Sequence, residues 1–150
     1  MTGLVTGLVT GCGVLGAGTA GTAEDSAADA RDAAYDYPSV DVADDVRANI
    51  AMLQVPEDVL AEMSSLALVW SVLDFPYAAN AFATSRLDGE VAFLATQSNA
   101  LEALLGRDDA AAAVEAVRAE FVESGAAGSD QSGELKLTLL DLIAAEVAEA

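Results

Sequence analysis

The chain has no histidine, one cysteine and one lysine among its 150 residues. Each scarcity removes a class of chemistry. Without histidine there is no Ser–His or Cys–His nucleophile pair and no imidazole metal ligand. Cys12 alone forms no internal disulfide, so cysteine usage does not report the compartment. Basic residues number 6 against 25 acidic ones, a net charge of −19. Arg31, Arg47, Arg86, Arg107 and Arg118 are spread singly along the chain and form no basic patch. DNA and RNA affinity comes largely from Lys and Arg neutralising phosphates, so the composition argues against a nucleic-acid partner. An anionic membrane surface repels such a body, and no membrane insertion of the mature domain is expected. Lys136 follows leucine rather than glycine, which excludes a Walker loop. Calcium loops fail at both candidate glycines. Around Gly133 a leucine, Leu139, takes the place of the bidentate glutamate, and around Gly89 an arginine, Arg86, takes a ligand position. Looser Ca²⁺ or Na⁺ contacts along acidic faces stay open, but no cofactor or resident metal is expected.

What is present divides sharply. The first 23 residues carry no charged side chain, and all the charge lies beyond them. Gly11-Cys12-Gly13-Val14-Leu15-Gly16 spells a dinucleotide fingerprint. Such a fingerprint works only inside a strand–turn–helix unit, and no β-branched run follows to supply the next strand. Leu4 to Ala17 instead supplies the apolar core of an export signal, with small residues around Ala20 and Ala23 for cleavage. A positive segment ahead of that core is missing. Val9-Thr10-Gly11-Cys12 also fits a lipoprotein box, which makes Cys12 the lipidation candidate. The apolar continuation after Cys12 favours an ordinary cleaved signal. The division is therefore 1–23 signal-like segment, 24–40 flexible acidic lead-in, and 41–150 helical domain.

The body reads as helix almost throughout. Val42, Val46, Ile50 and Leu53 share one face of a first helix over 41–53. Pro56 opens a short second helix. Ser64 or Ser65 caps a third, whose stripe of Leu66, Val69, Trp70 and Leu73 ends before Pro76. Shorter pieces carry Tyr77 and Phe82, then Val91 and Leu94 after an Asp88-Gly89 turn, then Leu101, Leu104 and Leu105 up to Gly106. Asp108 or Asp109 caps a longer helix with Val114, Val117 and Phe121 inward. After a loop over 123–133, a last helix over 134–148 turns Leu135, Leu139, Leu142, Ile143 and Val147 inward. No stretch alternates convincingly with period two; Leu135, Leu137 and Leu139 come closest, but helical spacing follows them and the segment reads as helix. The expectation is all-α, a single compact bundle of about seven or eight short helices. The acid surplus itself reads two ways, as plain solubility or as adaptation to high salt, where ions screen the self-repulsion.

Three segments carry a resemblance: "YP" at 37–38, "LQVPEDVLAEMSSLALVWSVLDFP" at 53–76 and "SNALEALLGRDDA" at 98–110. They resemble a family of exported bacterial proteins, common in Gram-positive bacteria, with a Pro-Glu-x-x-Leu…Met-Ser…Val-Leu-x-x-Pro segment and an Asn-x-Leu…Leu-Leu-x-Arg-x-Asp-Ala segment. Pro56, Met63, Ser64, Leu68, Val72, Leu73, Pro76, Asn99, Leu101, Leu104, Leu105, Arg107, Asp109 and Ala110 match. Ser65, Phe75 and Ser98 depart mildly from the pattern. The similarity runs over about residues 37 to 146, and implies an exported helical protein without assigning it an activity.

The expected function is a secreted or cell-surface module that binds a protein or surface partner without catalysis. Three residues are singled out. Tyr35 and Tyr37 lie in the lead-in, as exposed partner contacts or packed back onto the body. Arg107 either pairs with a carboxylate or helix-end carbonyls, or grasps an anion. Trp70 is expected in the core and Asn99 as a cap or buried hydrogen-bonding group. The alternative is a small carboxylate-dependent hydrolase, for which Asp44, Asp45, Glu57, Asp58, Asp88 and Glu90 are candidates without an outstanding pair. A hydrolase calls for a deep pocket with converging carboxylates, a binding module for an exposed patch or groove, and a structural spacer for neither.

Overall fold

The computed structural model describes residues 26–82 and 89–150. Among them are eight α-helices: α1 (Ala27–Asp32), α2 (Val46–Met52), α3 (Glu57–Glu62), α4 (Ser65–Leu73), α5 (Glu90–Ala95), α6 (Asn99–Leu105), α7 (Ala110–Glu123) and α8 (Gln131–Glu149). Two 3-10 turns, Ala78–Phe82 and Ala126–Gly128, complete the order, and no strand occurs among the described residues. The all-α bundle expected from periodicity is what the chain forms.

α4 is the axle. Every residue from Ala67 to Leu73 is buried, as a helix apolar on all sides requires. It packs against α6, α7 and α1, while α7 pairs with α8. Ser64 starts α4 as foreseen, its hydroxyl accepting the Ala67 N–H. Asp45, Ser98 and Asp130 cap α2, α6 and α8 in the same way. Asn99, read as a possible cap, is the first residue of α6 instead.

The face assigned to the first helix is corrected. Asp45 delays α2 until Val46, so Val42 sits in the preceding turn, where helical spacing no longer sets its direction. Val42 is 59% exposed and Val46 42% exposed. Asn49 takes the inward position, its Nδ2 donating to the Asp41 carbonyl and to the Tyr77 hydroxyl. The last helix also begins earlier than expected. Asp130 draws the end of the 123–133 loop into α8, leaving Leu135 36% exposed and burying Leu140 completely.

The lead-in differs most. From Ser26 it is docked rather than flexible: α1 packs on α4 and α7. Trp70 Nε1 donates to the Ala27 carbonyl at 2.6 Å, and the Tyr35 N–H donates to Ser71 Oγ at 2.8 Å. The Arg31 guanidinium lies 5.1 Å from the Trp70 ring centroid, close enough for a cation–π contact. Ala30 is buried between these helices. Its small side chain lets α1 approach closely, which a search for large apolar residues overlooks.

Two ion pairs join the described residues, Arg118 to Asp141 at 2.6 Å and Lys136 to Asp74 at 2.7 Å. Against a net charge of −19 they relieve little repulsion, so screening by salt is expected to stabilise the fold. The melting temperature should rise by several degrees between 0.1 M and 2 M NaCl, read by circular dichroism. A flat profile would exclude charge repulsion as a significant load on the fold.

Candidate functional site

Past α1 the chain leaves the helix and runs without regular secondary structure from Asp36 to Val40. Proline explains part of this: Pro38 fixes its own φ and turns Tyr37 away from helical angles. The strap lines an open cleft of about 500 Å³ together with Arg31, Asp74 and Pro76. Tyr35 and Tyr37 meet edge to face with ring centroids 5.0 Å apart. Tyr37 continues the contact inward to Phe75 at 5.6 Å, and Phe75 reaches Tyr77 at 6.2 Å. A file of four aromatic rings thus runs from the surface strap into the core. Both lead-in tyrosines come together at this cleft, each half-buried, so they pack onto the body while still lining the opening.

The Tyr37 hydroxyl is buried and has no hydrogen-bond partner among the described residues. Burial therefore pushes the phenol well above its ordinary value near 10; the nearby Ser98 hydroxyl opposes the shift without closing a hydrogen bond. The sign follows directly. A phenol whose folded-state pKa is raised by desolvation carries no ionisation penalty below the unfolded value of about 10, and the fold loses stability as pH climbs above it. Tyr37→Phe should lose this alkaline sensitivity. At pH 8 the variant should be as stable as the parent or up to about 1 kcal/mol better, since an unpartnered buried hydroxyl is gone. Urea midpoints at pH 8 and pH 11 decide it; equal losses in both proteins at pH 11 would refute the assignment.

Arg107 belongs to a separate pocket of about 430 Å³, lined by Met63, Ser64, Ser65 and Asp109 among others. Its Nη2 donates to the carbonyls of Leu60 and Met63 at 3.1 and 3.2 Å. It thereby satisfies the C-terminal end of α3, the helix-carbonyl role foreseen for it, on a helix other than its own. Asp109 accepts a hydrogen bond from the Ser65 hydroxyl. Asn99 brackets Val55, with Oδ1 accepting the Val55 N–H at 2.9 Å and Nδ2 donating to its carbonyl at 2.8 Å. The polar groups of this junction hold helices α3, α4, α6 and α7 to one another.

The chain matches no family model, no curated protein and no solved structure.

The remaining candidates separate. Cys12 and Asp88 lie outside the described residues. Asp45 is spent on capping α2, and Glu57 and Asp58 sit in the first turn of α3, where their charge suits the helix dipole. No group of three potential metal ligands occurs among the described residues, and none of the described helices is long and apolar enough to cross a membrane. Sequence reasoning missed Arg31 and Ser71. Arg31 looked like one more scattered cation, and Ser71 sits where only the docking of the lead-in gives its hydroxyl a second partner.

Proposed function

We propose that this chain is an exported, non-catalytic binding module, secreted or held at the cell surface, whose partner face is the cleft walled by Tyr35 and Tyr37. One observation carries the binding half of this reading. The polar side chains best suited to chemistry are committed to holding backbone, as Arg107 and Asn99 are, whereas the tyrosine pair borders open space. Aromatic side chains dominate protein interfaces because they offer large contact area at low conformational cost. The export half draws on the charge-free opening segment. The Ser26 hydroxyl caps α1 by accepting the Asp29 N–H. A cut after Ala20 or Ala23 leaves every described element in place.

The test is binding to cells. Fluorescently labelled protein is titrated onto host cells lacking their own copy. The parent should bind saturably, and Tyr35→Ala should weaken binding at least tenfold, as truncating a central interface aromatic does, with its circular dichroism spectrum unchanged. Binding by the variant equal to that of the parent would remove the cleft from the interface.

A further inference from the structure

A smaller, apolar opening adjoins the tyrosine cleft. It lies where the end of α4 and the 3-10 turn Ala78–Phe82 face the early turns of α8, and its volume is about 160 Å³. Leu73, Phe75, Phe82, Leu135 and Leu139 wall it. Two of them stay partly uncovered: Leu135 is 36% exposed and Phe82 is half-buried. Ala78 and Ala79 on the turn are too short to fill the space. The size suits one six-membered ring, since an apolar cavity of about 150 Å³ takes up benzene. The charge at the edge is already matched. Lys136 lines this opening, Asp74 lines the tyrosine cleft, and their ion pair at 2.7 Å joins the two. Pro76 lines both.

We infer that this opening is a socket for one uncharged aromatic side chain, phenylalanine in size, from the same protein partner that meets Tyr35 and Tyr37. This assignment depends on the proposed binding face and extends it across Pro76. Interfaces concentrate their affinity in a few anchors that fill desolvated pockets, ringed by contacts that exclude water. Here the socket is the apolar anchor point, and the tyrosine cleft with the Lys136–Asp74 pair borders it. A charged side chain is disfavoured. Lys136 and Asp74 neutralise each other, so an ionic head would enter apolar walls without a partner. A second copy of the chain is disfavoured as well, because each carries a net charge of −19.

The experiment has two arms. In the first, N-acetyl-phenylalaninamide, N-acetyl-alaninamide and N-acetyl-lysinamide are titrated into the full chain and read in methyl ¹³C–¹H spectra. The phenylalanine probe should shift the Leu135 and Leu139 methyls saturably, with a Kd of about 1 mM, the scale of a fragment this small. The alanine and lysine probes should leave those methyls unmoved. In the second arm, Leu135→Gln enters the cell titration beside Tyr35→Ala. Residue 135 is at the edge of the fold, so the circular dichroism spectrum should not change. Cell binding should weaken at least about fourfold, the scale of one buried methylene group. Silence from the phenylalanine probe, or equal shifts from the lysine probe, would overturn the socket without reference to any variant. A phenylalanine shift with cell binding untouched by Leu135→Gln would also overturn it, since the opening would then take free aromatic molecules alone. In that case a loss from Tyr35→Ala would leave the binding face standing, and no loss from either variant would remove both.

Discussion

Replacing Trp70 by alanine should cost about 3–5 kcal/mol, the range for emptying a buried tryptophan site. Trp70 is 3% exposed and touches three things at once. Its indole packs at 6.2 Å from Phe121, its Nε1 holds the Ala27 carbonyl, and its face receives Arg31. The alanine variant loses the packing and leaves a cavity, and it releases α1 as well. A fall in melting temperature of about 10 °C follows at this chain length. Trp70→Phe keeps much of the packing but not the hydrogen bond, so about 1–2 kcal/mol is expected. The distinguishing readout is local. In the phenylalanine variant, amide exchange in α1 should accelerate more than in α6, and trypsin should cut at Arg31 faster than in the parent. Uniform acceleration along the chain would mean that Trp70 is a core residue only and does not anchor the lead-in.

Gly133→Ala should be nearly as costly, and in the opposite sense to its helix propensity. Within a helix, alanine usually gains about 1 kcal/mol over glycine. Gly133 is in the first turns of α8, buried under the 3-10 turn Ala126–Gly128. A Cβ there would sit well inside contact with the Ala126 carbonyl oxygen, and 3.2 Å from both the Ala126 carbonyl carbon and the Ala127 oxygen. All three are main-chain atoms, so no side chain can rotate away. Either the turn lifts off or α8 shifts, and a loss of about 3 kcal/mol is expected in urea unfolding, at the upper end for overpacking. Gly128→Ala is the control: nothing lies within 4 Å of its added Cβ, and a change within about 0.5 kcal/mol is expected. Similar midpoints for the two variants would show that the turn does not press on α8.

These two sites mark what could be read in the sequence and what could not. The stripe of α4, its Ser64 cap and the inward residues Val114, Val117 and Phe121 of α7 follow from spacing alone, because a helix in the middle of a bundle has few alternatives. At the periphery spacing misleads. Val42 and Val46 carry the right period, but one polar cap moved the helix start and Asn49 claimed the inner side through bonds to Asp41 and Tyr77. The lead-in seemed too alanine-rich and acidic to pack. Its docking depends on contacts made from afar by Trp70 and Ser71, which local composition cannot show. At the candidate site, Tyr35, Tyr37 and Arg107 were named from the sequence. That the tyrosines share a cleft while Arg107 closes another helix depends on tertiary placement.

The central claim, that the chain is an exported module, is tested most directly by intact mass. The protein is recovered separately from culture medium, membranes and cytoplasm of its native host. A soluble extracellular form beginning near Gly21 or Glu24, or a membrane form beginning at lipid-modified Cys12, is the predicted result. Full-length protein starting at Met1 and confined to the cytoplasm would contradict it.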